Sequence, residues 1–369
     1  MKIPFLNLTI QNSQIEEEAF ATIKEIVSKN QFINGPAVAE FEADFAAYCE
    51  MPYAVGVGNG TDALVLAMRA MGVKRGDHVI TVPNTFIATT EAIAMVGGKT
   101  VFVDVDPDTF LMDPVRLEQK IEDLLSEGTK VKAIIPVHLF GLMCEMDRIK
   151  EIADRYGIGI VEDSAQAHGA RYRGNPPGYY SDIATFSFYP GKNLGAYGDA
   201  GAVVTKNRAL YQWIKMAKDH GRSDKYLHRF ESGNFRIDTI QAAILNIKLR
   251  YLESWTGKRI ENAKRYEEIF RETDILTPYC PSHRRHVYHI YAVRFSERDR
   301  LKEHLSGRGI STGIHYPVPL HLQPACSYLG YRKGDFPNAE KLADTVLSIP
   351  IDDRTIERND LTPFLKRQS

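Results

Sequence analysis

Apolar residues recur along the chain in two rhythms. Over 15–29 (IEEEAFATIKEIVSK) and 37–49 (AVAEFEADFAAYC) they fall three and four apart, which predicts amphipathic helices. Residues 53–72 (YAVGVGNGTDALVLAMRAMG) predict a short strand, a glycine turn and a helix. Four β-branched runs follow, at 78–82 (HVITV), 100–105 (TVFVDV), 131–137 (VKAIIPV) and 157–163 (GIGIVED). Short, nearly continuous apolar runs suit strands buried on both faces of a sheet. Helical spacing fills 87–96, 114–125 and 146–156 between them. This alternation predicts an α/β domain around a mostly parallel sheet.

Two more strands, 184–190 (ATFSFYP) and 200–207 (AGAVVTKN), flank a glycine-rich loop. A helix-rich stretch covers 208–272, including a long helix around 237–253. The strand 287–295 (VYHIYAVRF) then opens a smaller α+β region. We divide the chain into a large domain, 1–245, and a smaller C-terminal domain, 246–369.

Composition narrows the function. A chain of 369 residues suits two or three domains, or one large domain with an appendage, and 44% hydrophobic with 25% charged residues suits a soluble globular protein. A net charge of −1 without a basic block argues against nucleic-acid or membrane-surface binding. Cys49, Cys144, Cys280 and Cys326 are far apart and form no CxxC, so they read as reduced thiols and not as a disulfide or zinc framework. The N-terminus has too short an apolar run for a signal peptide, and no run approaches a membrane span. A cytoplasmic enzyme is the expectation.

Ligands of an open α/β sheet bind at the carboxyl ends of its strands. The segments there are Gly58–Asp62, Pro83–Phe86, His138, Asp163–His168 and Ser187–Lys192. Gly60, Thr61 and Asp62 lie at a strand-to-helix turn, where free N–H groups and the helix dipole attract anions. The spacing is neither GxxxxGK[ST] nor GxGxxG, and the turn is equally a capped glycine turn. Asp163 ends a buried strand, where a carboxylate needs a partner such as a cationic heterocycle; as a helix N-cap it would need none. Glu162 alternates to the other face and reads as structural. Lys192 sits among glycines between two apolar strands. A desolvated amine there would be a nucleophile for carbonyls, whereas a solvated one would be an ordinary turn lysine.

Taken together, an anion cradle, a buried acid and a loop lysine are what pyridoxal 5′-phosphate (PLP) requires for its phosphate, ring nitrogen and aldehyde. Phe86, at a strand end, could stack on the ring. The spaced histidines of HRRHVYH (283–289) fit no common zinc template and read as structural or surface residues; no metal site is expected.

Over nearly its whole length the chain resembles the DegT/StrS-type PLP-dependent aminotransferases, which act on nucleotide-linked keto-sugars and share the aspartate aminotransferase fold (fold type I). The resemblance rests on GNGTDAL, TVPNTFIAT, VFVDVDPDTF, PVHLFG, VEDSAQAHGA, FSFYPGKNLGAYGDAGAVVT, GNFRIDTIQAAIL and HYPVPLHLQPA. It implies that Lys192 bonds the cofactor aldehyde, Asp163 partners the ring nitrogen and Gln166 contacts the ring. Phe86 matches the stacking aromatic, and Gly60, Thr61 and Ser187 the phosphate cradle. Asn234 matches an asparagine that reaches the phosphate from the neighbouring subunit of a homodimer. His315, Tyr316 and His321 fall on the substrate side; His168 lies close by and reads equally as a substrate-side or a structural residue. L-glutamate is the implied donor, leaving as 2-oxoglutarate.

Two small departures, GDAG for GDGG and EDSAQ for EDAAQ, leave that chemistry intact. Dehydratases of the family carry histidine in place of the lysine, so Lys192 favours transamination. KNLGAYGD resembles the loop of enzymes acting on dTDP-linked 3-keto-deoxyhexoses, while 4-keto enzymes more often carry GEGG. A 4-keto sugar, a cyclitol ketone, dehydration and a non-catalytic sensor are the rival readings.

Overall fold

The computed structural model describes residues 2–352 and 355–365. The strands are β1 (Tyr53–Val57), β2 (His78–Thr81), β3 (Lys99–Phe102), β4 (Val131–Ile134), β5 (Gly159–Asp163), β6 (Arg171–Tyr172), β7 (Ile183–Ser187), β8 (Gly201–Thr205), β9 (Arg284–Arg285), β10 (Tyr291–Arg294) and β11 (Val346–Ile349). The α-helices are α1 (Thr9–Ser28), α2 (Pro36–Tyr48), α3 (Gly60–Ala70), α4 (Ala88–Met95), α5 (Pro114–Ser126), α6 (Met146–Tyr156), α7 (Arg208–Ala217), α8 (Thr239–Leu249), α9 (Leu252–Phe270), α10 (Arg298–Gly307) and α11 (Pro337–Thr345).

Seven strands form one sheet in the order β1-β8-β7-β5-β4-β2-β3. Only β8 runs against its neighbours, β1 and β7; the other pairings are parallel. The carboxyl ends of β1, β2, β4, β5 and β7 therefore meet at one edge. Side chains alternate between the faces as strand geometry requires. Ala184 and Phe186 of β7 pack with Phe41, Phe45 and Leu245 of α2 and α8, while Ile183 packs with Leu64 and Leu66 of α3 on the opposite face. Helix ends follow local chemistry. Asp113 caps α5 just before Pro114, and α6 stops at Gly157, whose φ of 66° is the left-handed conformation that glycine adopts without strain.

The smaller C-terminal unit pairs β10 with β11 antiparallel, over a core that includes Tyr266, Phe270, Leu301, Leu305 and Leu347. The N-terminal segment joins it. Ile3 N–H donates to Gly309 O at 2.9 Å, and Ser311 N–H to Ile3 O at 2.9 Å. These first residues fall within the 1–245 span of the sequence-based division.

Two sequence expectations differ from the structure. The single helix around 237–253 is two helices, α8 and α9, parted at Arg250 and Tyr251. The stretch 208–272 also contains an irregular segment between α7 and α8. Its sequence, DHGRSDKYLHRFESGN, has His220 and Gly221 near its start, both in the left-handed region, and its few large apolar side chains include Phe230, which stacks on Trp213 of α7 at 5.0 Å. The segment is tied to the edge of the sheet instead: Phe235 N–H donates to Lys218 O at 2.9 Å, and Gly58 N–H to Phe235 O at 3.0 Å.

Candidate active site

A cavity of about 830 Å³ opens at the carboxyl edge of the sheet. Five of the six co-directional strands deliver residues to it: Gly60–Asp62 after β1, Thr85 and Phe86 after β2, His138 after β4, Asp163 and Gln166 at the end of β5, and Ser187 and Lys192 from β7.

At one end lies the start of α3. Asn59 caps this helix, its Oδ1 accepting from Asp62 N–H at 2.8 Å. The N–H groups of Gly60 and Thr61 have no intrahelical acceptor, as in the first turn of any helix, and both residues line the cavity. Gly60 sits so close to β7 that a side-chain carbon there would lie 2.7 Å from Ser187 Cβ. Only glycine lets the helix start and the serine converge. Burial pushes Asp62 up to about 6, with the Asp199 charge adding to the effect.

Asp163 lines the same cavity. It is buried, and its Oδ2 accepts from Thr89 Oγ1 at 2.8 Å while Oδ1 accepts from Ala165 N–H at 3.2 Å. Burial raises its pKa; Thr89, Ala165 and the Lys192 charge pull the other way. Neighbouring Gln166 is oriented by Phe140 N–H, which donates to Oε1 at 2.6 Å, and its amide nitrogen lies 3.5 Å from the Tyr316 hydroxyl. The Phe86 and Tyr316 rings are 6.0 Å apart.

The Lys192 amine is brought down to about 8 by desolvation, opposed by the Asp163 charge. Burial and the same lysine lower His289 well below its usual range and His315 to about 4, so both rings are neutral. These residues fit PLP. The helix start offers donors to a phosphate, and the buried acid, whose hydrogen bonds among the described residues come from Thr89 and Ala165, would be partnered by a protonated ring nitrogen. The amine is already close to its nucleophilic form.

Two residues assigned to the substrate side lie elsewhere. His168 is fully buried behind the Lys192 loop, with its ring 5.4 Å from Phe186 and 5.5 Å from Phe188. The strand-end rule brought it to notice, but its side chain turns into the core between α2 and the sheet. His321 is buried against Phe336, with Nε2 3.0 Å from Glu340 Oε1, because the 3-10 turn Leu320–Leu322 directs it inward. Neither lines the cavity, whereas His315 and Tyr316 do. Asn234 is exposed and does not line the cavity of its own chain.

Other cavity residues were not anticipated. His289, read as structural or surface, lies in the wall with Nδ1 3.3 Å from Asn193 Oδ1. Arg259 and Asp352 form an ion pair in the wall, and Phe5 and Leu6 reach it from the N-terminus. His138, noticed only as a strand end, has Nδ1 accepting from Cys144 N–H at 3.2 Å and Nε2 donating to buried Glu162 at 2.6 Å. Thr89 ends the stretch TVPNTFIAT, but an uncharged residue in a helix's first turn gives no sequence signal of a contact to an acid.

Comparisons with known proteins agree with this geometry. The dTDP-3-amino-3,4,6-trideoxy-alpha-D-glucose transaminase of Streptomyces venezuelae is 42% identical over 351 residues, covering 95% of this chain and 91% of that protein. The pleiotropic regulatory protein of Geobacillus stearothermophilus is 43% identical over 354 residues, covering 95% and 94%. The crystal structure of S. venezuelae DesV in complex with a ketimine intermediate matches with a TM-score of 0.93 at 41% identity, over 98% of this chain and 96% of that one. The family model of the DegT/DnrJ/EryC1/StrS aminotransferases matches residues 13–360, and the chain belongs to that family.

Proposed function

We propose that the protein transfers an amino group from L-glutamate to a nucleotide-linked keto-sugar, a dTDP-3-keto-6-deoxyhexose. The observation that carries this reading is the Lys192 amine, tuned to about 8, in one cavity with the buried carboxylate of Asp163. The names of relatives such as the S. venezuelae transaminase support the sugar class.

The family's cofactor, PLP, supplies a carbonyl that bonds amines and a ring that takes up electrons. Lys192 would hold its carbonyl carbon and Asp163 its ring nitrogen. Gln166 and Phe86 would contact the ring, and Gly60, Thr61 and Ser187 the phosphate, with Asp62 beside them. A buried carboxylate opposite the ring nitrogen keeps that nitrogen protonated. The free Lys192 amine takes the proton from the donor's α-carbon and, once charged, delivers one to the sugar carbon that receives nitrogen. Its pKa near the working pH suits both tasks. His315 and Tyr316 would face the sugar.

We also place Asn234 at the phosphate of a second copy, in a homodimer with shared sites. Its exposure, together with exposed Phe20, Phe32, Ile33 and Tyr189, supports that assembly. The break at Arg250–Tyr251 supports dividing the domains close to residue 245. No helix among the described residues is long and apolar enough to cross a membrane, which is compatible with a cytoplasmic enzyme.

The name of the Geobacillus relative favours a second reading, a regulator on the same fold. A regulator needs neither a tuned lysine nor a buried acid facing it. The test is a panel of 3-keto and 4-keto nucleotide sugars and cyclitol ketones, supplied with PLP and L-glutamate. The proposal expects an amino-sugar from the 3-keto substrate. Amination of only the other ketones, or cofactor binding without turnover on any of them, would reject it.

A further inference from the structure

The turn that opens α3 is braced from outside the cavity. Gly56 lies in β1, the end strand of the sheet, and both of its main-chain groups are taken by side chains from other elements. Its N–H donates to Glu42 Oε1 of α2 at 2.9 Å. Its carbonyl accepts from Nζ of Lys218, just after α7, at 3.2 Å. The same Glu42 oxygen accepts from Lys218 Nζ at 2.5 Å.

The two side chains are only 13% and 7% exposed. A pair buried this far returns little net stability, because desolvating the charges offsets their attraction. It does fix geometry, since each charge must keep its partners. Lys218 also acts through its main chain. Its carbonyl accepts from Phe235 N–H, and Phe235 O in turn accepts from Gly58 N–H. Asp219 and Asn234 form a bridge beside them. Lys218 thus meets β1 through its side chain and the Asn234 segment through its backbone. One path leads on to Gly60 and Thr61, and the other ends at Asn234. Gly60 has no slack against Ser187, so a small displacement of the turn would be felt there.

We propose that Glu42 and Lys218 are positioning residues for cofactor phosphates, holding in mutual register the Gly58–Thr61 turn of their own copy's cradle and the Asn234 segment that reaches the second copy's. This rests on the reading of Gly60, Thr61 and Ser187 as the phosphate cradle.

The test titrates cofactor-free protein with PLP and with pyridoxal, which lacks the phosphate, and follows the absorbance change. In Lys218→Met, affinity for PLP should fall about ten- to hundredfold, the range seen when residues that orient metal ligands are removed, while affinity for pyridoxal stays unchanged. Lys218→Arg should recover part of the loss. If Lys218→Met does not fold, Glu42→Gln carries the test, since it keeps an acceptor for Gly56 N–H and removes the charge. A general structural defect would weaken both ligands equally, and that result overturns the proposal. A wild-type preference for PLP that the variants leave intact overturns the brace alone. A wild-type protein without any preference overturns the cradle reading, and the brace with it.

Discussion

Thr89 donates its hydroxyl hydrogen to Asp163 Oδ2 at 2.8 Å, and its own oxygen is 3.1 Å from the Thr85 hydroxyl. Because the Thr89 hydrogen is committed to the carboxylate, Thr85 is the donor in the second contact. Thr89→Val keeps the shape and removes the donor from a buried charge. That change should cost about 1–3 kcal/mol, measured by urea unfolding of the cofactor-free protein. Thr89→Ser should lose less. A valine variant as stable as the native protein would show that Asp163 does not depend on this contact.

The approach of Gly60 to Ser187 makes a second, separable prediction. Gly60→Ala should lower thermal stability and weaken PLP retention, because the added carbon meets Ser187 Cβ at 2.7 Å. Adding Ser187→Ala should not relieve the clash, since it leaves that carbon in place, whereas Ser187→Gly should restore the lost thermal stability. Equal behaviour of the two double variants would rule out the steric account.

His168 predicts a stability that depends on pH. Burial takes it down to about 3 from an ordinary value of 6.5. Its folded value lies below its unfolded one, so between those limits the unfolded chain holds the extra proton. Its contribution is therefore complete above pH 6.5 and is lost as pH falls towards 3, at about 1.4 kcal/mol per pH unit. His168→Phe, placed between Phe186 and Phe188, should flatten the acid limb of unfolding free energy against pH by about that slope. An unchanged slope would mean that the ring is protonated in the folded protein.

Lys192 predicts a reactivity profile. Desolvation lowers its amine from 10.5 to about 8. The rate at which cofactor-free protein captures PLP, after subtraction of the Lys192→Ala background, should rise through pH 8 and then level off. A rise that continues towards 10.5 would place the amine in solvent.

The legible parts of this protein were those written in local pattern. The β-branched runs marked the sheet strands, and their ends marked Gly60, Asp163, Ser187 and Lys192, because an open sheet presents its strand ends to ligands. Side-chain direction was not legible: His168 and His321 turn inward although their backbones lie near the expected places. Residues from distant segments were also hidden. Phe5 arrives because Ile3 pairs with the C-terminal unit, and His289 because Asn193, next to Lys192, holds the 287–289 segment. Such meetings depend on tertiary packing, which no periodicity records. The irregular segment before α8 carries no mark of its own within a stretch that reads as helix-rich, because its few apolar residues, such as Phe230 on Trp213, pack from a loop.

The most direct measurement is reductive trapping. Protein loaded with PLP is treated with borohydride, digested, and the labelled peptide identified by mass. The account predicts a single adduct on Lys192 and none in Lys192→Ala. A label on another lysine, such as Lys248, which is also buried and lowered to about 8, or equal labelling of the Lys192→Ala protein, would contradict it.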